Sequence, residues 1–240
     1  MAAFEKWQEA ISQNIANSSV PGFKKTEISF SAMDSDLAAL PQGQGSSDHV
    51  RGSMPVATPG ISFTQGQLSH SDNELDFAIQ GKGFFQVQQP NGTMAYTRDG
   101  QFHLSPEKTL VTKEGLTVQG EGGPITFKTG AGPIAINADG MITQQDQQIS
   151  KLPAYDFADA SKLRRVGDGM VAPNESSASP QRIDRPQILN KYIESSNVSP
   201  LTEMVNLVSV SRAYEASQKV IQTADDNEDK AIQILGNPQS

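Results

Sequence analysis

From Pro200 to Leu235 the chain carries a repeat that leaves few structural options. Leu207, Val210, Tyr214, Ser217, Ile221, Ala224, Glu228, Ala231 and Leu235 follow one another at alternating three- and four-residue intervals, the spacing of a supercoiled helical seam. A helix over 200–235 would be about 50 Å long, and its apolar stripe is narrow, so it requires a partner helix. Ser199, Pro200 and Glu203 supply an N-cap, a first-turn proline and a first-turn acid.

A second amphipathic stretch lies at the other end. Phe4, Trp7, Ile11 and Ile15 recur at helical intervals over 2–17, and Ser18, Ser19 and Pro21-Gly22 then stop the helix. A helix of about four turns is marginal alone in water. Both ends of the chain therefore need a partner. Phe23 to Phe30 alternates loosely, as an extended arm does, and 35–60 is poor in large apolar residues and rich in Gln, Gly, Ser and Pro, which predicts a flexible loop.

The middle of the chain has a different rhythm. Asn91-Gly92, Asp99-Gly100, Glu114-Gly115 and Asp139-Gly140 are turn dipeptides. Between them lie short strand-like runs at 84–88, 94–97, 101–104, 109–112, 116–118, 125–127, 134–136 and 141–143, with weaker signals at 152–157, 170–171 and 188–193. Strands at about ten-residue spacing with such turns predict an antiparallel β domain. The chain therefore reads as α+β. A discontinuous terminal-helix coiled-coil module with extended arms (1–34 with 188–240) accompanies a flexible loop (35–60), a β-rich domain (61–172) and a linker (173–187).

Composition narrows the chemistry. A net charge of −8 with scattered Lys and Arg offers no basic stripe for nucleic acid. The absence of cysteine removes disulfides and thiolate metal sites, and suits a protein that leaves the cytosol without oxidative folding. No apolar run approaches the ~18–20 residues of a membrane span, and the first ten residues, with Glu5, Lys6 and Glu9, lack the apolar stretch of a cleavable signal. His49, His70 and His103 match no metal-ligand spacing, even with Asp72 or Asp99 as acids. No nucleophile elbow occurs. Gly81-Lys82-Gly83 lacks the context of a phosphate loop and reads as strand flexure or a β-bulge. Asp225, Asp226, Glu228 and Asp229 lack calcium-loop spacing and read as a solvated helix face. These features predict no enzyme, cofactor or metal, and point to assembly.

Three motifs carry a family resemblance. The run Asn14-Ile15-Ala16-Asn17, followed by Pro21-Gly22-Phe23-Lys24, resembles the N-terminal signature of bacterial flagellar basal-body rod and hook proteins. The segment containing Gly81, Gly83, Phe84 and Phe85, followed by Tyr96-Thr97-Arg98-Asp99-Gly100, is similar to the β-domain signature of that family. Glu194-Ser195-Ser196-Asn197-Val198, then Glu203-Met204-Val205 and Arg212-Ala213-Tyr214-Glu215, resembles its C-terminal signature. The resemblance implies a non-enzymatic axial subunit of the basal-body rod, in the proximal or the distal rod. It implies export through the flagellar type III apparatus without a cleaved signal, and helical polymerisation with itself and with other axial rod and hook subunits.

The resemblance further implies that the terminal helices pair, with Phe4, Trp7, Ile11 and Ile15 facing Leu207, Val210, Tyr214, Ile221, Ala224 and Leu235. The family's N-terminal helix is usually longer than this one. Either the surplus seam from Ile221 to Leu235 meets neighbouring subunits, or the coding start lies further upstream. The alternatives are a β-domain ligand-binding or hydrolytic protein dimerised by its helices, and a hook or junction scaffold.

Overall fold

The computed structural model describes residues 2–34, 53–128, 134–145, 147–167, 169–174 and 179–236. The chain divides into two units, 1–15 with 26–60 and 200–240, and 16–25 with 61–199.

The first unit holds both helices, α1 (Ala2–Ala16) and α2 (Pro200–Gly236), and the ribbon of β1 (Thr26–Asp34) and β2 (Ser53–Ile61). Both helices follow the apolar periodicity of the sequence. Two side-chain bridges fix their direction: the Gln8 amide donates to Ser211 Oγ at 3.3 Å, and the Asn14 amide to Glu203 Oε2 at 3.3 Å. Rising numbers on α1 meet falling numbers on α2, so the helices run antiparallel. Ile11, Ala10 and Val210 are buried along this stretch. The loop expected over 35–60 lies largely outside the described residues, but its last part forms β2, because main-chain pairing with β1 does not require apolar side chains.

The second unit is β-rich and antiparallel. Its strands are β3 (Leu68–His70), β4 (Phe77–Gln80), β5 (Phe85–Gln88), β6 (Met94–Thr97), β7 (Phe102–Leu104), β8 (Leu110–Thr112), β9 (Thr117–Gly120), β10 (Gly123–Pro124), β11 (Ile134–Ile136), β12 (Met141–Gln144) and β13 (Gln147–Lys151). They continue with β14 (Tyr155–Phe157), β15 (Leu163–Gly167), β16 (Met170–Pro173), β17 (Pro180–Arg182), β18 (Gln187–Asn190) and β19 (Tyr192–Glu194). The largest sheet runs β15-β16-β6-β5-β9-β8-β7, with β10 on β9; β11-β12-β13 form a second, and β14-β17, β18-β4 and β19-β3 are pairs.

Alternation along β5 and β6 puts the two faces of the large sheet to different uses. Phe85, Val87 and Ala95 join the main core with Phe77, Phe102, Leu110 and Val118, where the Phe85 and Phe102 rings meet edge-to-face at 5.4 Å. Phe84 and Tyr96 point to a second cluster with Phe157, Leu163 and Val171.

The structure departs from the sequence reading elsewhere in the second unit as well. Residues 188–194, grouped by sequence with the terminal helices, form β18 and β19, which pair with β4 and β3 in the second unit. The linker read over 173–187 contains β17, whose main chain pairs with β14 although its side chains are exposed. Ile125 and Phe127 reach the core with only an isolated bridge from Thr109 to Thr126. Gly81-Lys82-Gly83 is the connection between β4 and β5 rather than a bulge, with φ of 95° at Gly81 and 119° at Gly83.

Gly100 sits where no side chain fits, since a Cβ there would stand 1.6 Å from the Phe77 carbonyl oxygen. Gly100→Ala is expected to lower unfolding free energy by about 2–4 kcal/mol, read as a reduced urea midpoint, because a backbone clash cannot relax as a side-chain clash can.

Candidate functional site

The three sequence signatures supply one buried charged node in the second unit. Lys24, Arg98 and Glu194 are each almost completely buried. Glu194 Oε1 accepts from the Lys24 ammonium and, at 2.9 Å, from the Gly66 backbone N–H. Its Oε2 accepts from the Arg98 guanidinium at 3.0 Å. Lys24 donates further to the Thr64 carbonyl at 2.9 Å, and Arg98 to the carbonyls of Gly81 at 2.6 Å and Ile79 at 3.3 Å. Burial pulls Lys24 below its ordinary pKa, against the opposing pull of the Glu194 carboxylate. Arg98 is lowered by the same desolvation.

Local folding brings these groups together. The Pro21-Gly22 turn places Gly22 at φ 68°, where its N–H donates to the Glu194 carbonyl at 2.7 Å; a Cβ there would lie 2.3 Å from the Asp99 nitrogen. Phe23 is buried beneath the Arg165 guanidinium, 4.3 Å from its ring, and Arg165 donates to the Lys24 carbonyl at 2.6 Å. Asn197 completes the arrangement. Its Oδ1 accepts from Lys25 N–H at 2.7 Å, and its amide donates to the carbonyls of Ser62 and Thr64 at 2.9 and 3.0 Å.

Among the remaining motif residues, Asn14 acts in the first unit, exchanging two hydrogen bonds with the Thr26 backbone, at 2.8 and 2.9 Å, as a strand neighbour would. Ala16 and Arg212 are exposed, Asn17 is half-buried and its carbonyl accepts from Val20 N–H, and Val198 is buried. The expected helix-pairing residues divide. Phe4, Trp7, Ile15, Leu207 and Tyr214 are half-buried and Ile11 and Val210 buried, whereas Ile221 and Ala224 are exposed. The side chain of Leu235 lies outside the described residues.

Sequence reasoning did not single out Lys24, Glu194, Glu203 or Arg165 as site residues. Isolated charges have no periodic signal, and Lys24 and Glu194 stand 170 residues apart. The available hint was that Lys24 and Glu194 both lie inside the motifs that carry the family resemblance. The histidines form no site: His70 packs edge-to-face on Tyr192, His103 is exposed, and His49 lies outside the described residues. Among the described residues no cluster of His, Asp or Glu is arranged to hold a metal ion, and no helix is long and apolar enough to cross a membrane.

The convergence of all three signatures agrees with what the chain is similar to. Residues 78–144 match the flagellar hook protein FlgE/F/G D1 domain, and 189–234 the C-terminal domain of flagellar basal-body rod FlgEFG proteins. The basal-body rod protein FlgG of Buchnera aphidicola is 34% identical over 90% of this chain and 88% of its own length. The chain belongs to the flagellar basal-body rod protein family. FlgF of Caulobacter vibrioides is 32% identical over 95% of this chain and 91% of its own length, and FlgF of Rhizobium meliloti 35% identical over 98% and 93%. This rod-family chain is a structural subunit of the flagellar basal body. The three side chains of the charged node are each nearly closed to solvent.

Two predictions follow from the geometry of this region. Glu194→Gln leaves two buried cations without their anion and is expected to cost about 3–5 kcal/mol in urea unfolding. Adding Lys24→Met should recover part of that loss, a non-additivity visible in a double-mutant cycle. Asp99 behaves differently: burial, with Glu114 and Asp76 nearby, raises its carboxyl from 3.8 to about 6. The unfolded chain therefore loses this proton first as pH rises from about 4 to 6, and stability falls by up to about 3 kcal/mol across that window. Asp99→Asn, which can still accept the Gln101 N–H, should flatten the fall and be the more stable protein at neutral pH.

Proposed function

We propose that this subunit polymerises helically, with copies of itself and with other axial rod and hook subunits, into the drive shaft of the flagellum. The observation that carries this reading is the apolar surface that α2 leaves exposed. Val220 and Ile221 are 69% and 48% exposed on its second half. A second apolar ridge, Leu201, Met204, Val205 and Val208, lies exposed on the paired half of α2 at the spacing of one helix face.

In this reading Phe4, Trp7, Ile11 and Ile15 pair with Leu207, Val210 and Tyr214 as an antiparallel coiled coil within the terminal module. Ile221, Ala224 and Leu235, with the second ridge, meet helices of neighbouring subunits. Such heterologous contacts do not close into a ring and generate a tube. The subunit reaches the rod through the flagellar type III apparatus. The rod-protein relatives do not favour a hydrolytic or junction-scaffold role.

The test separates pairing from assembly. Val220→Asp with Ile221→Asp alters only exposed positions, so thermal unfolding should stay within about 1 kcal/mol of wild type, while motility in a strain lacking the wild-type gene is lost. Val210→Asp, which buries a charge, should instead unfold the helix pair. Normal motility in the exposed double variant would sink the proposal.

A further inference from the structure

On the second unit the aromatic cluster leaves a hollow of about 290 Å³. Phe63, Phe84, Phe157 and Leu163 form its apolar lining, and Arg98 and Lys82 contribute cations. The rings are held in place by one another: Phe63 meets Phe84 edge-to-face at 5.5 Å, and Phe84 lies 6.0 Å from Phe157. Arg98 stacks on Phe84 at 5.3 Å. Its guanidinium NH1 and NH2 groups are committed to the node and to nearby carbonyls, but its buried Nε–H has no hydrogen-bond partner.

Charge and size together define what fits. Lys24 and Arg98 share the single carboxylate of Glu194, an excess of one positive charge. The exposed Lys82 adds a second, and the Asp156 carboxylate offsets one of the two. The hollow is therefore cationic on balance as well as aromatic. At about 290 Å³ it sits at the lower limit for a whole small-molecule ligand, but suits one large side chain presented by a partner polypeptide, the usual form of an interface anchor.

We infer that this hollow is an anchor site for a peptide segment of a partner protein, one that inserts an apolar side chain and sets a neighbouring carboxylate against Arg98 and Lys82. The Gly81-Lys82-Gly83 connection, with both glycines at positive φ, forms one rim and carries the lysine that meets the acid. Insertion supplies the apolar burial, and the charge pairing selects acidic over neutral segments.

The experiment uses the full chain, labelled with ¹⁵N, and two capped dipeptides, acetyl-Phe-Glu-amide and acetyl-Phe-Gln-amide, with phenylacetate as a third probe. The acidic dipeptide should shift the amides of Gly83, Phe157, Ala158 and Leu163 saturably, and about fivefold more tightly than the neutral one. Lys82→Gln, at an exposed position, should remove most of that preference without altering the remaining spectrum. Equal affinity for the two dipeptides would overturn the charge selection, and no saturable shift by either would overturn the site. Phenylacetate binding more tightly than the acidic dipeptide would assign the hollow to a free small carboxylate and overturn the peptide as occupant.

Discussion

The second unit depends on a single carboxylate shared by two cations that, among the described residues, pair with no other buried acid. Removing Glu194, Lys24 and Arg98 from water is costly, and their attraction offsets that cost only because nearly every remaining donor finds an oxygen: Thr64, Gly81 and Ile79 supply carbonyls, and Gly66 donates its N–H to the acid. A well-packed apolar cluster of similar volume could match the node in stability. What an apolar cluster lacks is register. Shifting any of the three segments by one residue would leave a buried charge without its partner, so the node selects one alignment of chain regions far apart in sequence.

That selection matters because of how the chain is threaded. It leaves the second unit after Lys25, returns at Ile61 and leaves again after Ser199. The residues beside those passages are the ones the node and Asn197 hold: Lys24 and Lys25, Ser62 and Thr64, Glu194 and Asn197. Gly22 and Gly66 allow the backbones to come this close, for a Cβ on Gly66 would fall 1.9 Å from the Ser195 carbonyl. Within the second unit, therefore, the chain passages are gathered by polar bonds of fixed direction rather than by apolar contact. In the first unit Asn14 plays the equivalent part, holding the start of β1 through Thr26 and reaching Glu203 on α2.

The sequence was legible wherever periodicity encodes burial. Both helices and the strands from Phe85 to Thr112 follow from apolar spacing and turn dipeptides, since those strands have one or both faces in a core. It was illegible where main-chain pairing alone makes the strand. β13, β15 and β17 are rich in Gln, Arg, Lys and Ser, and nothing in their side chains announces the ladder. The node was legible only through resemblance: the motifs named the right neighbourhoods, but the pairing of Lys24 with Glu194 is a fact of tertiary structure with no local signature.

The exposed apolar side chains of α2 set the energetics of assembly on the proposed reading. Burying Val220 and Ile221 against another helix would contribute ~1.5–3 kcal/mol each. Association from solution costs ~4–15 kcal/mol in lost rigid-body freedom, which two such side chains do not offset. Once other contacts have positioned a subunit at a growing end, most of that cost has already been met, and the same two side chains add nearly their full value. A short seam of this kind therefore favours subunits that remain apart in solution and join only at an existing surface, which is the behaviour an ordered shaft requires.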